Sequence, residues 1–329
     1  MGAGPKWCKS ARQCLAQQDW SLLVVIVLCA VGIAVMEFKD PVQRPVFLYD
    51  ATISYEHKPN TIDDFLAPLI PGIVFLFSLV LVEVYLFRKD AVSTAAAILR
   101  FFMACWAALM VVGFFTELFK LICGRLRPDF LDRCKPALPF EQALKAMNQN
   151  DEWGHTINPL CKNADARELR DGRVSFPSGH SSTAYVMGWF GCLYLLWGVS
   201  VRADMQMHRK LYKPGDGFFK RLAKELVSTV LLGLMLFQLG YAWGVGVSRF
   251  RDNRHNASDI IAGFMLGITF APAFLLRAIG QHEWWTVYYP AIAAAEGGDD
   301  LLAGGSAGAG PSGAGNGMKV GSVPTAGAI

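Results

Sequence analysis

The stretch AILRFFMACWAALMVVGFFTELFKLICGRLRP, residues 97–128, decides how this chain folds. Residues 97–119 are apolar over a length that crosses a hydrocarbon core as one helix, for which about 20 residues suffice. Lys120 and Arg127 follow at once, and Pro128 marks an exit from helix. A membrane span that ends on cations places positive charge at a bilayer surface.

Working outward, five more runs have the same apolar character: 20–37, 66–87, 180–199, 227–247 and 258–278. The whole chain of 329 residues is 53% hydrophobic and 18% charged, too apolar for a soluble domain of its size. The fold class predicted is all-α, a polytopic six-transmembrane helical bundle with its site at one membrane face. Residues 1–19 form an N-terminal segment and 20–278 the membrane domain, with a long loop over 124–179. Residues 279–329 form an interfacial segment and tail, the last 39 residues holding 11 glycines and unable to bury a core. A net charge of +4 is modest and makes no case for nucleic acid as a partner. Gly263 and Gly267 form a GxxxG pattern, read as close helix packing within the bundle.

Three motifs stand at span ends: KLICGRLRP (120–128), PSGH (177–180) and SRFRDNRHNASD (248–259). The loop between spans three and four and the loop between spans five and six fall on one side by parity, so all three motifs can meet. Short segments near span ends carry an excess of cations on the other side, seven Lys or Arg within 201–225 among them. By the positive-inside rule both termini are cytoplasmic and the motifs face a lumen or the exterior. Within 218–226, FFKRLAKEL reads either as an amphipathic helix on the inner leaflet or as the solvated start of span five. Cys134 and Cys161 share the long loop, where a disulfide forms if the loop faces an oxidising compartment, or both stay idle.

Each motif has a chemistry. Lys120 and Arg127 are seven residues apart, two turns, and share a face if the helix runs that far. Such a pair suits a phosphate dianion, Arg as a bidentate fork and Lys as a point charge. PSGH opens span four. A helix start presents free N–H groups to an anion, Ser178 adds a hydroxyl, Gly179 permits close approach, and His180 brings a protonatable nitrogen. In the third motif Arg249 is another cation, and Arg251 and Arg254 read as peripheral. His255 and Asp259 are spaced i, i+4, so the carboxylate can accept one imidazole N–H and leave the other nitrogen nucleophilic. Metal chemistry fits poorly. The cations oppose a dication and no carboxylate cluster is visible, so neither metal nor other cofactor is expected.

K-x6-RP, PSGH and SR-x5-H-x3-D, in this order over six spans, resemble the type 2 phosphatidic acid phosphatase superfamily. The stretch RPVFLYDATISYEHK (44–58) also resembles the segment between the first two spans of eukaryotic, especially fungal, lipid phosphatases. The resemblance implies a magnesium-independent phosphatase of membrane lipid phosphates acting through a phosphohistidine. His255 attacks, Asp259 orients it and His180 serves as acid and then base. Lys120, Arg127, Ser178, Gly179 and Arg249 hold phosphate. Polyprenyl pyrophosphate phosphatase is the alternative within the superfamily. A non-catalytic lipid-phosphate binder or transporter is the alternative outside enzymes. Headgroup, organelle and oligomeric state are not readable from these residues.

Overall fold

The computed structural model describes residues 14–46, 50–86, 91–136, 161–202 and 215–290. The N-terminal 13 residues, the centre of the long loop and the glycine-rich tail, with the expectations made for them, lie outside these.

Six helices among the described residues are long and apolar enough to cross a bilayer. In chain order the helices are α1 (Trp20–Glu37), α2 (Leu66–Val80), α3 (Ala91–Cys123), α4 (Phe130–Cys134), α5 (Ala166–Asp171), α6 (Gly179–Leu196), α7 (Phe218–Arg251) and α8 (Ala257–Glu283). The short α4 and α5 lie in the long loop. Described residues contain no β-strand. α7 runs unbroken from Phe218, so FFKRLAKEL is the first turns of span five, and of its two readings the second holds.

Side-chain size sets the layering. α6 is the central helix, 72% buried over its apolar window, and packs against α2, α3, α7 and α8. α1 is the outermost, 11% buried, and rests chiefly on α3. Its Val24, Leu28 and Val31 stay exposed, as a lipid-facing surface requires. The central position of α6 depends on small residues on both sides of its contacts. A Cβ on Gly263 of α8 would stand 2.7 Å from the Ser178 carbonyl, and one on Gly267 would stand 2.8 Å from the Val186 nitrogen. On another face Gly188 admits the Gln238 carbonyl of α7 at the same kind of range, 2.7 Å from its would-be Cβ. The GxxxG pattern is therefore an intramolecular seam. Gly263→Ala is expected to cost about 1–3 kcal/mol by overpacking against backbone, read as a lower thermal midpoint in detergent. An unchanged midpoint would show that the seam yields.

Loop ties complete the site's frame. Cys134 and Cys161 form a disulfide, so the pairing, not the idle reading, holds. α3 ends at Cys123, earlier than the spacing of Lys120 and Arg127 suggested. Gly124 stops it, with a φ of +53° and its Cα against the Val42 carbonyl, a place no side chain can occupy.

Candidate active site

A cavity of about 350 Å³ opens where the three motifs meet. Lys120, Arg127, Gly179, His180, Arg249 and His255 line it. Six of the eight residues nominated from sequence are thus brought together. The other two, Ser178 and Asp259, are fully buried and do not line it.

The cations arrive by different routes. Lys120 sits in the last turn of α3, its Nζ 2.6 Å from Glu117 Oε1. A Cβ on Gly179 would lie 3.2 Å from that nitrogen, so the glycine admits the ammonium to the start of α6. Arg127 does not share the helix face with Lys120. Because α3 stops at Gly124, Arg127 reaches in from the loop, its backbone N–H bonded to the Gly172 carbonyl at 2.8 Å. Its guanidinium donates to Asp171 Oδ1 at 2.6 Å. Arg249, in the last turn of α7, is wholly buried and donates to Asp252 Oδ2 (3.0 Å) and Asn60 Oδ1 (3.2 Å). Arg254, read as peripheral, instead lines the cavity, 3.8 Å from Asp129, while Arg251 is exposed.

Ser178 caps α6. Its Oγ accepts from the Ser181 hydroxyl at 3.0 Å and faces the Ser181 N–H at 3.4 Å, so the hydroxyl is engaged in the cap and not in the cavity. Its own N–H donates to the Asp259 carbonyl at 3.0 Å, which fastens the PSGH turn to the first turn of α8.

The histidine–carboxylate pair differs most from its sequence reading. α8 begins at Ala257, so His255 precedes the helix and the i, i+4 stacking does not apply. His255 Nδ1 lies 2.8 Å from the Ser175 carbonyl and 3.9 Å from Asp259 Oδ2. A carbonyl only accepts, so Nδ1 carries the hydrogen and the neutral ring keeps its lone pair on Nε2. Asp259 acts one step removed. It accepts from the Ser175 hydroxyl (2.7 Å), Arg125 Nη1 (2.7 Å) and the Asn256 N–H (3.0 Å). That set holds the loop segment of Ser175 and the turn before α8, between which the imidazole is clamped. Burial, followed by the fields of Arg127, Lys120 and His180, drives the His255 pKa well below 6.5, against the opposite pull of the Ser175 carbonyl. The ring is therefore neutral at physiological pH.

His180 Nε2 has two neighbours, Asp64 Oδ1 at 2.8 Å and Arg249 Nη1 at 3.0 Å. Asp64 and Asn60 come from the segment before α2, and no local pattern marked them, since their partners lie on α6 and α7. Ser175 and Asp171 were likewise missed, being ordinary loop residues in sequence. Among the described residues no three His, Cys, Asp or Glu side chains gather as a metal site.

Comparison with known proteins meets this geometry. The profile of the PAP2 superfamily matches residues 101–281, which run from within α3 to the last turn of α8 and hold all three motifs. The chain belongs to the PAP2 superfamily. It is 30% identical over 256 residues to lipid phosphate phosphatase 2 of Arabidopsis thaliana, covering 77% of this chain and 73% of that one. It is 27% identical over 267 residues to diacylglycerol pyrophosphate phosphatase 1 of Saccharomyces cerevisiae, covering 79% and 78%. A PA-phosphatase related-family protein of Dictyostelium discoideum is 26% identical over 79% of this chain, which spans 63% of that relative. No solved structure matches the chain. For a PAP2 member the matched region ends close to the end of α8, and α1, α2 and the segment carrying Asp64 lie before it.

Proposed function

We propose that this chain is an integral-membrane lipid phosphate phosphatase that hydrolyses phosphatidate, lysophosphatidate and diacylglycerol pyrophosphate through a phosphohistidine at His255. One observation carries the reading. His255 is neutral, its Nδ1 hydrogen is spent on the Ser175 carbonyl, and it lines a cavity shared with Lys120, Arg127 and Arg249. Nε2 attacks phosphorus and the bond to the leaving oxygen breaks, its electron pair going to that oxygen with a proton from His180. His180 then takes a proton from water, which attacks the phosphohistidine and frees phosphate and His255. The three cations and the N–H groups at the start of α6 hold the other phosphate oxygens, whose charge rearranges in the transition state. Ser178 and Asp259 keep the PSGH turn and the His255 turn in place. Names of relatives support the lipid substrates, and the Lys120, Arg127 and Arg249 charges lining the cavity can neutralise phosphate without added metal.

The Cys134–Cys161 disulfide supports placing this face in a lumen or outside the cell, with the cation-rich 201–225 segment in the cytoplasm. Phosphate release from phosphatidate by the purified chain in mixed micelles with EDTA tests the reading. No release, or release only when magnesium is restored, would overturn it.

The pH profile follows from the depressed His255. Attack needs the neutral ring, and burial plus neighbouring cations disfavour its protonated form. Rate is therefore retained as pH falls through 6.5, and the acid limb of kcat/KM that belongs to His255 lies well below it. Lys120→Met removes one opposing charge and is expected to move that limb upward. A limb at or above the ordinary imidazole range in the unmodified protein would contradict the buried, cation-facing His255.

A further inference from the structure

We propose that Asp64 is a positioning residue for His180 that biases the site toward phosphate esters whose leaving oxygen needs a proton, over those whose leaving group departs already anionic. The inference rests on the phosphatase reading above and adds to it the segment ahead of α2. His180 Nε2 stands between an acceptor, Asp64 Oδ1 at 2.8 Å, and a donor, Arg249 Nη1 at 3.0 Å. It satisfies them one at a time. Protonated, the nitrogen donates to Asp64. Deprotonated, it accepts from Arg249. Those are the two states an acid–base histidine alternates between.

The placement of Asp64 is built, not incidental. Just before it, Thr61 donates its N–H and its hydroxyl to Asp252 at 2.7 and 2.6 Å, and Asn60 accepts from Arg249. Just after it, the Leu66 N–H bonds to the Asp63 carbonyl at 3.0 Å and opens α2. The side chain itself is 83% exposed, so the carboxylate stands on the open side of the cavity, where the substrate body must enter. The hydrogen bond from His180, helped by Arg127 and Arg249, holds its pKa down to about 2, so it stays anionic throughout the working range.

This geometry treats two leaving groups differently. In a phosphomonoester the P–O bond breaks as His255 Nε2 forms its bond to phosphorus, and the electron pair lands on an alkoxide oxygen that must take the His180 proton. Asp64, as the acceptor 2.8 Å from Nε2, orients the protonated ring that supplies it. In a lipid diphosphate the same electron pair lands on a phosphate oxygen, stable without a proton. That departing phosphate also brings negative charge up against the Asp64 carboxylate. Asp64 thus helps the first reaction and opposes the second.

The test compares kcat/KM for phosphatidate and for diacylglycerol pyrophosphate in mixed micelles, using the full chain, D64N and D64E. D64N is expected to lose about 10-fold on phosphatidate, a part of the roughly 10²–10⁴ a general acid supplies, while holding or gaining on the diphosphate. The diphosphate-to-monoester ratio then rises by about 10-fold or more, and D64E, which keeps the charge, returns it toward the original value. Equal losses on both substrates would mark a structural role and overturn the inference, as would an unchanged ratio. If the unmodified chain releases phosphate from neither lipid, the phosphatase reading itself fails and this inference falls with it.

Discussion

His255→Ala is expected to leave phosphatidate hydrolysis at least about 10⁴-fold below the unmodified enzyme, the scale on which removal of a covalent nucleophile registers in other hydrolases. No other group in the cavity has the same preparation. His180 is paired with Asp64 and Arg249, and the two lining hydroxyls are engaged elsewhere, Thr116 with Ser182 and Thr183 with the Gly179 carbonyl. The alanine variant also strands the Ser175 carbonyl, a buried acceptor whose desolvation costs about 1–3 kcal/mol, so lost activity alone would be ambiguous. His255→Asn removes that ambiguity, because its amide N–H can replace the Nδ1 donor while offering no nucleophilic nitrogen. The asparagine variant should melt close to the unmodified protein and remain inactive, and it should fail to form the acid-labile, base-stable phosphoenzyme expected of a phosphohistidine. Turnover by a well-folded His255→Asn variant would remove His255 from the mechanism.

The membrane architecture was legible because the bilayer demands a length and a composition that only helical apolar runs satisfy, and all six runs are spans. Helix ends were less legible. The apolar window over 227–247 covers only part of α7, whose polar first turns from Phe218 continue the same hydrogen-bond ladder without being apolar. At the site, residue types in motif order were enough to nominate six cavity-lining residues. What failed was geometry inferred from helical spacing. Lys120 and Arg127 converge because Gly124 breaks the helix between them, and His255 sits before α8, not on it. Residues joined across the sequence were invisible for a different reason. Asn60 lies 189 positions from Arg249, and neither neighbourhood contains a pattern that announces the contact. Asp64 and Ser175 share this property. They are defined by what the fold brings to them, and a single chain carries no local trace of that.

Arg249→Ala should damage both activity and stability, and separating the two shows what the residue does. Its guanidinium is buried and reaches Asp252, Asn60, Ser248 and His180. Losing one preorganised donor to phosphate is expected to lower kcat by about 10²–10³-fold. Breaking a buried ion pair from one side adds a stability cost of about 3–5 kcal/mol, because Asp252 keeps its charge and retains only Thr61 among these donors. Arg249→Lys preserves one positive charge but not the planar fork that spans several acceptors, so it should recover part of the stability and little of the rate. The decisive variant is the double change Arg249→Ala with Asp252→Asn, which removes the stranded charge. Stability should return toward that of the unmodified protein, since an uncharged amide can keep bonds to Thr61, while kcat stays at the level of Arg249→Ala. If the double variant instead regained full activity, the phosphate would be held without Arg249, and the buried pair would be a tie between the segment before α2 and the end of α7 and nothing more.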